Sequence, residues 1–332
     1  MGNAHLRQRR PRLYELYKQF THGGDYWRDR YLLEHWDQCV QPVVYRNDVH
    51  HGYKLLRRLG DWCWLTRDPH PRFKNITFDA IVYPTTGSSL SRIFSKFEYN
   101  ESPDLPLSIE RRESCIRQVV CGMSELHNIG VVHGDLHPGN VALAQPSKEH
   151  IEQFLARSPL EHDIRRKNGF PPPPHLPQRV SEPEDIGFGP GDIKIIDFGH
   201  SFMPVDGEFY NSNDFPSGTL RPPELLGRDK RTNQPFKADS WYLGQLIYFV
   251  LTDGWPIFRR PLVYTTDDLV NEYNIRLAKL KNGHDALINE LPEDIRSRFA
   301  PLILALLETD PDRRLLIRDI TQDERLMDAK PR

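Results

Sequence analysis

The sequence predicts a two-lobed α+β fold, with a reduced β-rich N-terminal lobe and a larger, mainly helical C-terminal lobe. Residues 77–84 (TFDAIVYP) form a short β-favouring run that ends in proline. Between Arg112 and Leu126 the apolar residues recur at the spacing of one helix face, and two further apolar helical stripes follow Gly218. These observations place strands early in the chain and helices late.

Composition narrows the class of protein but names no partner. The chain has 332 residues, of which 38% are hydrophobic and 27% charged, as in soluble globular proteins rather than disordered or membrane-spanning ones. The formal net charge of −2 gives no basic field for nucleic acid, and the most apolar stretch, residues 242–251, is too short to span a bilayer. Four cysteines without metal-ligand spacing and the absence of an apolar leader favour an intracellular location, cytoplasmic, nuclear or both.

The first candidate site is a polar turn between two apolar elements. The helical stripe of residues 112–126 should end at Gly130, and Val131–Val132 should be extended. Residues 133–140 (HGDLHPGN) then form a polar turn, and residues 141–143 resume an apolar strand. Catalytic side chains often lie on such a loop between rigid elements.

Residues 144–192 differ from the rest of the chain because they are rich in proline. They hold 9 of the 28 prolines, including the run Pro171–Pro174, which cannot be helical. Since loops beyond about 15 residues are unusual in compact domains, we interpret this stretch as an insertion and the proline run as a stiff spacer.

A second acidic turn follows the insertion. Residues 193–196 (IKII) read as a strand, which Asp197-Phe198-Gly199 closes. The apolar stripes beyond this turn predict two core helices. Their residues are Trp241, Leu243, Ile247 and Val250 in the first and residues 302–307 in the second.

The two acidic turns together suit phosphoryl transfer. That reaction needs metal ions on the phosphate oxygens and a carboxylate that orients the attacking hydroxyl. Asp135 could orient the hydroxyl, while Asn140 and Asp197 offer hard oxygen ligands to Mg²⁺. The simpler alternative is that these side chains only cap turns.

In order along the chain, the motifs resemble those of eukaryotic protein kinases. The two acidic turns resemble the catalytic loop and the magnesium-binding turn. Residues 218–224 (GTLRPPE) resemble the end of an activation segment, and residues 239–244 (DSWYLG) resemble the central helix whose aspartate braces the catalytic loop. Residues 310–314 (DPDRR) resemble the late motif whose arginine pairs with the segment's glutamate, which predicts an Arg314–Glu224 pair. The resemblance implies ATP and Mg²⁺ as cofactors and a protein as substrate.

Among kinases, the resemblance is strongest to the SR-protein-kinase-like group, including its fungal-type variants. Residues 77–90 resemble that group's strand, hinge and helix start, with Tyr83 at the hinge beside ATP. The stretch 146–180 lies where that group carries an insertion, and residues 193–202 also match its pattern. The resemblance covers about residues 50–320 and implies an Arg-Ser-rich protein substrate.

Two positions of the first turn depart from the kinase pattern. Gly134 stands where most kinases have arginine, so a phosphorylated activation segment would lack its usual partner. His137 stands where Ser/Thr kinases usually have a lysine that contacts the transferred phosphate, and we place His137 beside Asp135 in the catalytic set. We expect His133 to be a hydrogen-bonded core residue.

The N-terminal part departs furthest from the pattern. It contains neither a glycine-rich G-x-G-x-x-G loop nor a clear V-A-I-K strand. Lys18 and Glu34 are the candidates for the ATP-binding lysine and its partner glutamate, but only 17 residues precede Lys18. The sequence therefore predicts a truncated N-lobe.

The predicted organisation is an N-lobe over residues 1–83, a C-lobe over 84–324 with the insertion 144–192, and a tail over 325–332. The predicted function is ATP- and Mg²⁺-dependent phosphorylation of serine or threonine in proteins. A pseudokinase that acts as a binding or scaffold module is the alternative, supported by the missing glycine-rich loop and by the two departures in the first turn. A small-molecule phosphotransferase rests on HGDLHPGN alone. The oligomeric state stays open.

Overall fold

The computed structural model describes most of the chain beyond residue 85 and isolated strands elsewhere. The described ranges are 49–50, 53–58, 64–69, 86–98, 107–158, 161–163, 179–181, 184–215, 220–227, 230–258 and 265–320. The predicted strand 77–84, Lys18, Glu34, Tyr83 and the run Pro171–Pro174 lie outside these residues. No helix in the described part of the chain is long and apolar enough to cross a membrane.

Helices predominate over small sheets, and the predicted α+β class is confirmed. The strands are β1 (Val49–His50), β2 (Tyr53–Arg58), β3 (Trp64–Pro69), β4 (Val141–Ala142), β5 (Glu161–Asp163), β6 (Arg179–Ser181), β7 (Lys194–Ile195), β8 (Tyr210–Asn211) and β9 (Arg231–Thr232). The helices are α1 (Leu90–Glu98), α2 (Ile109–Asn128), α3 (Lys148–Ala156), α4 (Pro235–Leu251), α5 (Thr266–Lys281), α6 (Ala286–Asn289), α7 (Glu293–Leu306) and α8 (Ile317–Ile320). Single 3₁₀ turns occupy Pro138–Asn140, Phe198–His200 and Pro223–Leu225.

The chain divides into two compact units, residues 1–85 with 147–186 and residues 86–146 with 187–332. In the first unit, β1, β2 and β3 form an antiparallel sheet in that order, and β5 pairs antiparallel with β6.

Helix α3 lies within the insertion and was not predicted from the sequence. The Ser147 hydroxyl accepts from the His150 amide at 3.2 Å and caps the first turn. Ile151 and Leu155 pack beside the buried Phe154 and Ile186. The spacing of the apolar residues at i, i+3 and i+4 was the available signal, but the high proline content of the surrounding stretch obscured it.

Helix α2 confirms the predicted stripe of residues 112–126 and extends it at both ends. Ser108 caps the start, since its hydroxyl accepts from the Arg111 amide at 3.3 Å. At the other end Gly130 has a φ of +80° and donates to the His127 carbonyl at 3.1 Å. A left-handed residue in this position suits glycine, so the predicted stop is confirmed.

The core of the second unit is built around helix α4, which is buried on every side. Of its 17 residues, 14 are buried, including the whole predicted stripe. The Trp241 ring stacks on Phe258 at 5.3 Å, and the Tyr273 ring lies 5.1 Å from it. Because Gly244 has no side chain, Leu307 can approach closely: a Cβ atom there would lie 2.8 Å from the Leu307 Cγ. Helix α7, which contains most of the second predicted stripe, packs on α4 through residues such as Leu306.

Candidate active site

The pairing of β4 with β7 brings the two acidic turns together. Val141 lies opposite Ile195 in antiparallel register. Directly beyond this pair the Ile196 amide donates to the Asn140 carbonyl at 2.9 Å, so Asp197 emerges beside the end of the first turn. Both turns therefore lie at one end of the two-stranded sheet formed by β4 and β7.

A buried aspartate of α4 accepts hydrogen bonds from the backbone of the first turn. Asp239 is 0% exposed, and its Oδ2 accepts from the His133 amide at 2.8 Å while its Oδ1 accepts from the Gly134 amide at 3.0 Å. The His127 Nε2 lies 3.0 Å from Oδ2 and supplies a third contact. Hydrogen bonds to a buried carboxylate are strong, so the backbone before Asp135 is fixed in place. The expected brace is present.

His133 joins the two turns and has a structural role, as expected. The side chain is 0% exposed, and its Nε2 lies 3.2 Å from the Ile196 carbonyl oxygen. That contact requires the proton on Nε2, which leaves Nδ1 to accept from the Asp135 amide at 3.3 Å. The imidazole therefore sets the distance between the turns.

Asp135 presents one free carboxylate oxygen. The Asn140 Nδ2 donates to the Asp135 carbonyl at 2.8 Å and lies 3.5 Å from Asp135 Oδ2. Among the described residues, Oδ1 is buried without a hydrogen-bond partner. Burial raises the pKa of Asp135, and the neighbouring Asp197 carboxylate adds to the rise, while His137 opposes it. A buried acceptor without a partner is costly, and it is suited to receive a hydroxyl proton.

His137 lies beside Asp135 as a neutral imidazole. Its Nδ1 accepts from the Gly139 amide at 3.0 Å, and its Nε2 lies 3.8 Å from Asp135 Oδ2. Burial lowers the pKa of His137, and the Asp135 carboxylate only partly offsets this. The imidazole fits in this position because Gly139 has no side chain: a Cβ atom there would lie 2.6 Å from the imidazole Cε1.

Asp197 differs from Asp135 because it is exposed and loosely held. Its backbone is left-handed, with φ 65° and ψ 67°, a conformation that aspartate tolerates better than most residues. The carboxylate accepts from the Gly199 amide at 3.4 Å, near the limit for a hydrogen bond.

Gly134 cannot be replaced by arginine without moving the backbone. Its φ is +79°, and a Cβ atom would lie 2.7 Å from the His200 carbonyl oxygen. The second turn packs so closely against the first that only glycine fits at position 134 without a shift of the backbone.

The predicted ion pair between Glu224 and Arg314 is present and bidentate. The two guanidinium nitrogens lie 2.6 and 2.9 Å from the carboxylate oxygens, and the Arg314 side chain is fully buried. The guanidinium lies 5.1 Å from the Trp241 ring centroid, and the Trp241 indole donates to the Leu220 carbonyl at 3.0 Å. Residues 220–224 are therefore anchored to α4.

The structure brings Asp135, His137, Asn140 and Asp197 together at the two turns, whereas Lys18, Glu34 and Tyr83 lie outside the described residues. Sequence reasoning missed His127, which contacts Asp239. A polar residue that ends an otherwise apolar helix stripe was the available signal.

Comparison with known proteins gives a family match. Residues 85–325 match the family described as "Protein kinase domain". The chain is similar to the serine/threonine-protein kinase RCK2 of Saccharomyces cerevisiae, with 25% identity over 210 residues, which is 63% of this chain and 30% of RCK2.

Two plant proteins are similar over more of the chain. A calcium and calcium/calmodulin-dependent serine/threonine-protein kinase of Pisum sativum is 22% identical over 242 residues, 71% of this chain and 33% of that protein. The serine/threonine-protein kinase GRIK1 of Arabidopsis thaliana is 23% identical over 258 residues, 76% of this chain and 49% of GRIK1. The chain thus spans less than half the length of these relatives.

Proposed function

The chain belongs to the protein kinase domain family, and from this membership we propose that it transfers the γ-phosphoryl group of ATP to serine or threonine hydroxyls of proteins. The observation that carries the proposal is the buried, unpartnered Oδ1 of Asp135, held beside Asn140 and within electrostatic reach of Asp197. A structural turn has no use for such an oxygen. A hydroxyl that donates to Oδ1 would be oriented for attack.

The donor set fits Mg²⁺ bound together with a nucleotide. Carboxylate and amide oxygens are the hard ligands that Mg²⁺ prefers, and Asp197 and Asn140 supply them. Asn140 uses its amide nitrogen on Asp135, which leaves its carbonyl oxygen for a cation. In the described part of the chain no group of three or more His, Cys, Asp or Glu side chains could hold a metal alone, so phosphate oxygens and water would complete the coordination. Bound Mg²⁺ would neutralise charge on the phosphates.

The roles of the remaining side chains follow from their contacts. Asp239 and His133 keep the Asp135 backbone still, so that little reorganisation is needed when substrate arrives. His137 can donate one hydrogen bond from Nε2 but carries no charge, and it would stabilise the transferred phosphoryl group less than a lysine. We therefore expect slower transfer than in kinases with lysine at this position.

Arg-Ser-rich proteins are our proposed substrate class, supported by the resemblance of residues 77–90 and 193–202 to SR-protein kinases. A pseudokinase remains the second candidate, and the specific observation in its favour is the neutral His137. The intact arrangement of Asp135, Asn140 and Asp197 favours the enzyme.

The decisive experiment measures transfer of labelled γ-phosphate from Mg-ATP to an Arg-Ser-rich peptide and to a generic basic protein. We expect Asp135→Asn to lower the rate about 10²- to 10⁴-fold. Asp197→Asn should abolish transfer while keeping a residue that tolerates the left-handed backbone. The exposed Asp267 of α5 provides the matched control, and Asp267→Asn should leave the rate unchanged.

Other outcomes select the alternatives. A folded protein that transfers no more phosphate than Asp135→Asn is a pseudokinase. ATP turnover that small alcohols or amines accelerate, with no labelled peptide, identifies a small-molecule phosphotransferase. Equal labelling of the Arg-Ser-rich peptide and the basic protein supports kinase activity but rejects Arg-Ser-rich proteins as the preferred substrates.

A further inference from the structure

The stretch between the second acidic turn and Phe215 is folded around a single tyrosine. The Val205 amide donates to the Tyr210 hydroxyl at 2.8 Å, and the Glu208 amide donates to the Val205 carbonyl at 3.1 Å. The Tyr210 backbone pairs with Thr232 through β8 and β9. Tyr210 thus closes a short loop and attaches it to the region after the Glu224 anchor.

The Tyr210 ring connects this loop to the catalytic loop through Phe202. The two rings stack with centroids 4.7 Å apart and planes at 27°. Phe202 also meets the fully buried Phe215 edge to face at 5.8 Å. Such aromatic pairs contribute beyond the area they bury, so Phe202 is held between Tyr210 and the core.

Phe202 in turn sets the register of the catalytic loop. The Val132 amide donates to the Phe202 carbonyl at 2.9 Å, and the Phe202 amide donates back to the Val132 carbonyl at 3.1 Å. The neighbouring Ser201 hydroxyl donates to the His133 carbonyl at 3.0 Å. Val132 stands three residues before Asp135, so a shift of Phe202 moves the start of the loop that bears the carboxylate.

The pocket that the described residues form beside this segment offers no cation to a phosphate. A surface pocket of about 360 Å³ lies among residues 199–214, and none of the described residues that line it is lysine or arginine. Its lining includes the carboxylates of Glu208 and Asp214, which repel phosphate. The close approach of His200 to Gly134 also excludes an arginine at that position. The contacts that Tyr210 and Phe202 make in this segment are themselves uncharged.

We propose that Tyr210 is a positioning residue for phosphoryl transfer, whose hydroxyl and ring hold residues 202–205 and, through Phe202, keep Asp135 in register. It takes the place of the phosphorylated residue and arginine pair that orders the segment in kinases with that switch. The proposal rests on the proposed function, but its structural half can be tested without any activity.

The structural test is hydrogen exchange of backbone amides in the full chain. Tyr210→Phe keeps the stack and removes the acceptor, so the Val205 amide should exchange about five-fold faster, the effect of one neutral hydrogen bond, with Val132 and Phe202 unchanged. Tyr210→Ala removes both contacts and should accelerate exchange at Val132 and Phe202 as well. Unchanged exchange at Val132 and Phe202 in Tyr210→Ala overturns the coupling to the catalytic loop.

The kinetic test separates positioning from binding. If Tyr210 orients Asp135 through Phe202, kcat stays unchanged in Tyr210→Phe, which keeps the ring stack, and falls about ten-fold in Tyr210→Ala, while KM for ATP stays constant. The neighbouring Phe209 is 60% exposed, and Phe209→Ala serves as the matched control with unchanged exchange and kcat. An unchanged kcat in Tyr210→Ala, or a loss confined to KM, refutes the role.

The two tests also distinguish this proposal from the proposed function. If the wild-type protein has no transfer activity but shows the expected exchange pattern, the proposed kinase activity is rejected. Tyr210 then still stabilises the segment. If the protein is fully active but the expected exchange pattern is absent, only the positioning role of Tyr210 is rejected.

Discussion

The turns at Asp135 and Asp197 carry the same functional group but are held in opposite ways. The backbone amides of the first turn donate hydrogen bonds to the buried Asp239 carboxylate and to the His133 imidazole, and the Asp135 Oδ1 is buried. Asp197 is exposed and lies in a left-handed conformation, and among the described residues its carboxylate accepts one long hydrogen bond, from the Gly199 amide. The difference indicates that the protein itself holds the first turn in place, whereas the carboxylate of the second turn has few contacts with the described residues.

The largest effect should come from the brace of the first turn. Asp239→Asn replaces one carboxylate oxygen by a donor that faces another donor, so we expect a loss of about 3 to 4 kcal/mol in the free energy of unfolding. Urea unfolding followed by tryptophan fluorescence, to which the buried Trp241 contributes, measures it. A loss below about 1 kcal/mol would mean that the first turn is no better held than an exposed one.

Gly134 and Gly207 form a matched pair for the next effect. Their φ angles are +79° and +82°, but a Cβ atom at Gly134 meets the His200 carbonyl at 2.7 Å, whereas one at Gly207 meets nothing within 4 Å. Gly207→Ala should cost about 1 kcal/mol from backbone strain alone, and Gly134→Ala about 2 to 3 kcal/mol. Equal costs in thermal or urea unfolding would contradict the close contact between the two turns.

Asp135 should lower the free energy of unfolding, and the size of this effect should depend on pH. Its pKa is raised in the folded state, so between the unfolded and folded values the native chain binds more protons, and stability falls as pH rises through that window. Asp135→Asn removes this fall and should gain no more than about 1 kcal/mol at neutral pH, because solvent screens the carboxylate. Urea titrations of both proteins at acid and neutral pH test this. A gain that persists below the unfolded pKa would point to another cause.

The smallest effect should come from the second turn. Asp197→Asn keeps a residue that tolerates left-handed backbone, so the free energy of unfolding should change by less than about 0.5 kcal/mol. Thermal unfolding in the absence of nucleotide and metal is the measurement. If Asp197→Asn destabilises as much as Asp239→Asn, the contrast between the two turns fails.

Much of the fold and site could be predicted because the signals are local or periodic. The stripe of α2 and its stop at Gly130 follow from helix geometry. The Glu224–Arg314 pair followed from motif order rather than from any physical pattern, since the two residues are 90 positions apart.

What escaped prediction depends on packing between distant segments. Helix α3 was hidden by the prolines around it. The contact between the Tyr210 ring and Phe202 has no sequence period, and the clash at Gly134 depends on how closely the second turn approaches. Such distances are set by the assembled core and not by the residues themselves.

The burial of α4 on every side also affects the chain during synthesis. Part of the apolar surface of α4 is covered by the later helix α7, which begins about 40 residues after α4 ends. At about 5 to 20 residues per second the ribosome leaves this apolar segment uncovered for several seconds. We therefore expect stalled chains whose α7 is still inside the ribosome to be captured by chaperones and stalled chains whose α7 has emerged to escape, which pulldown of stalled ribosomes would measure.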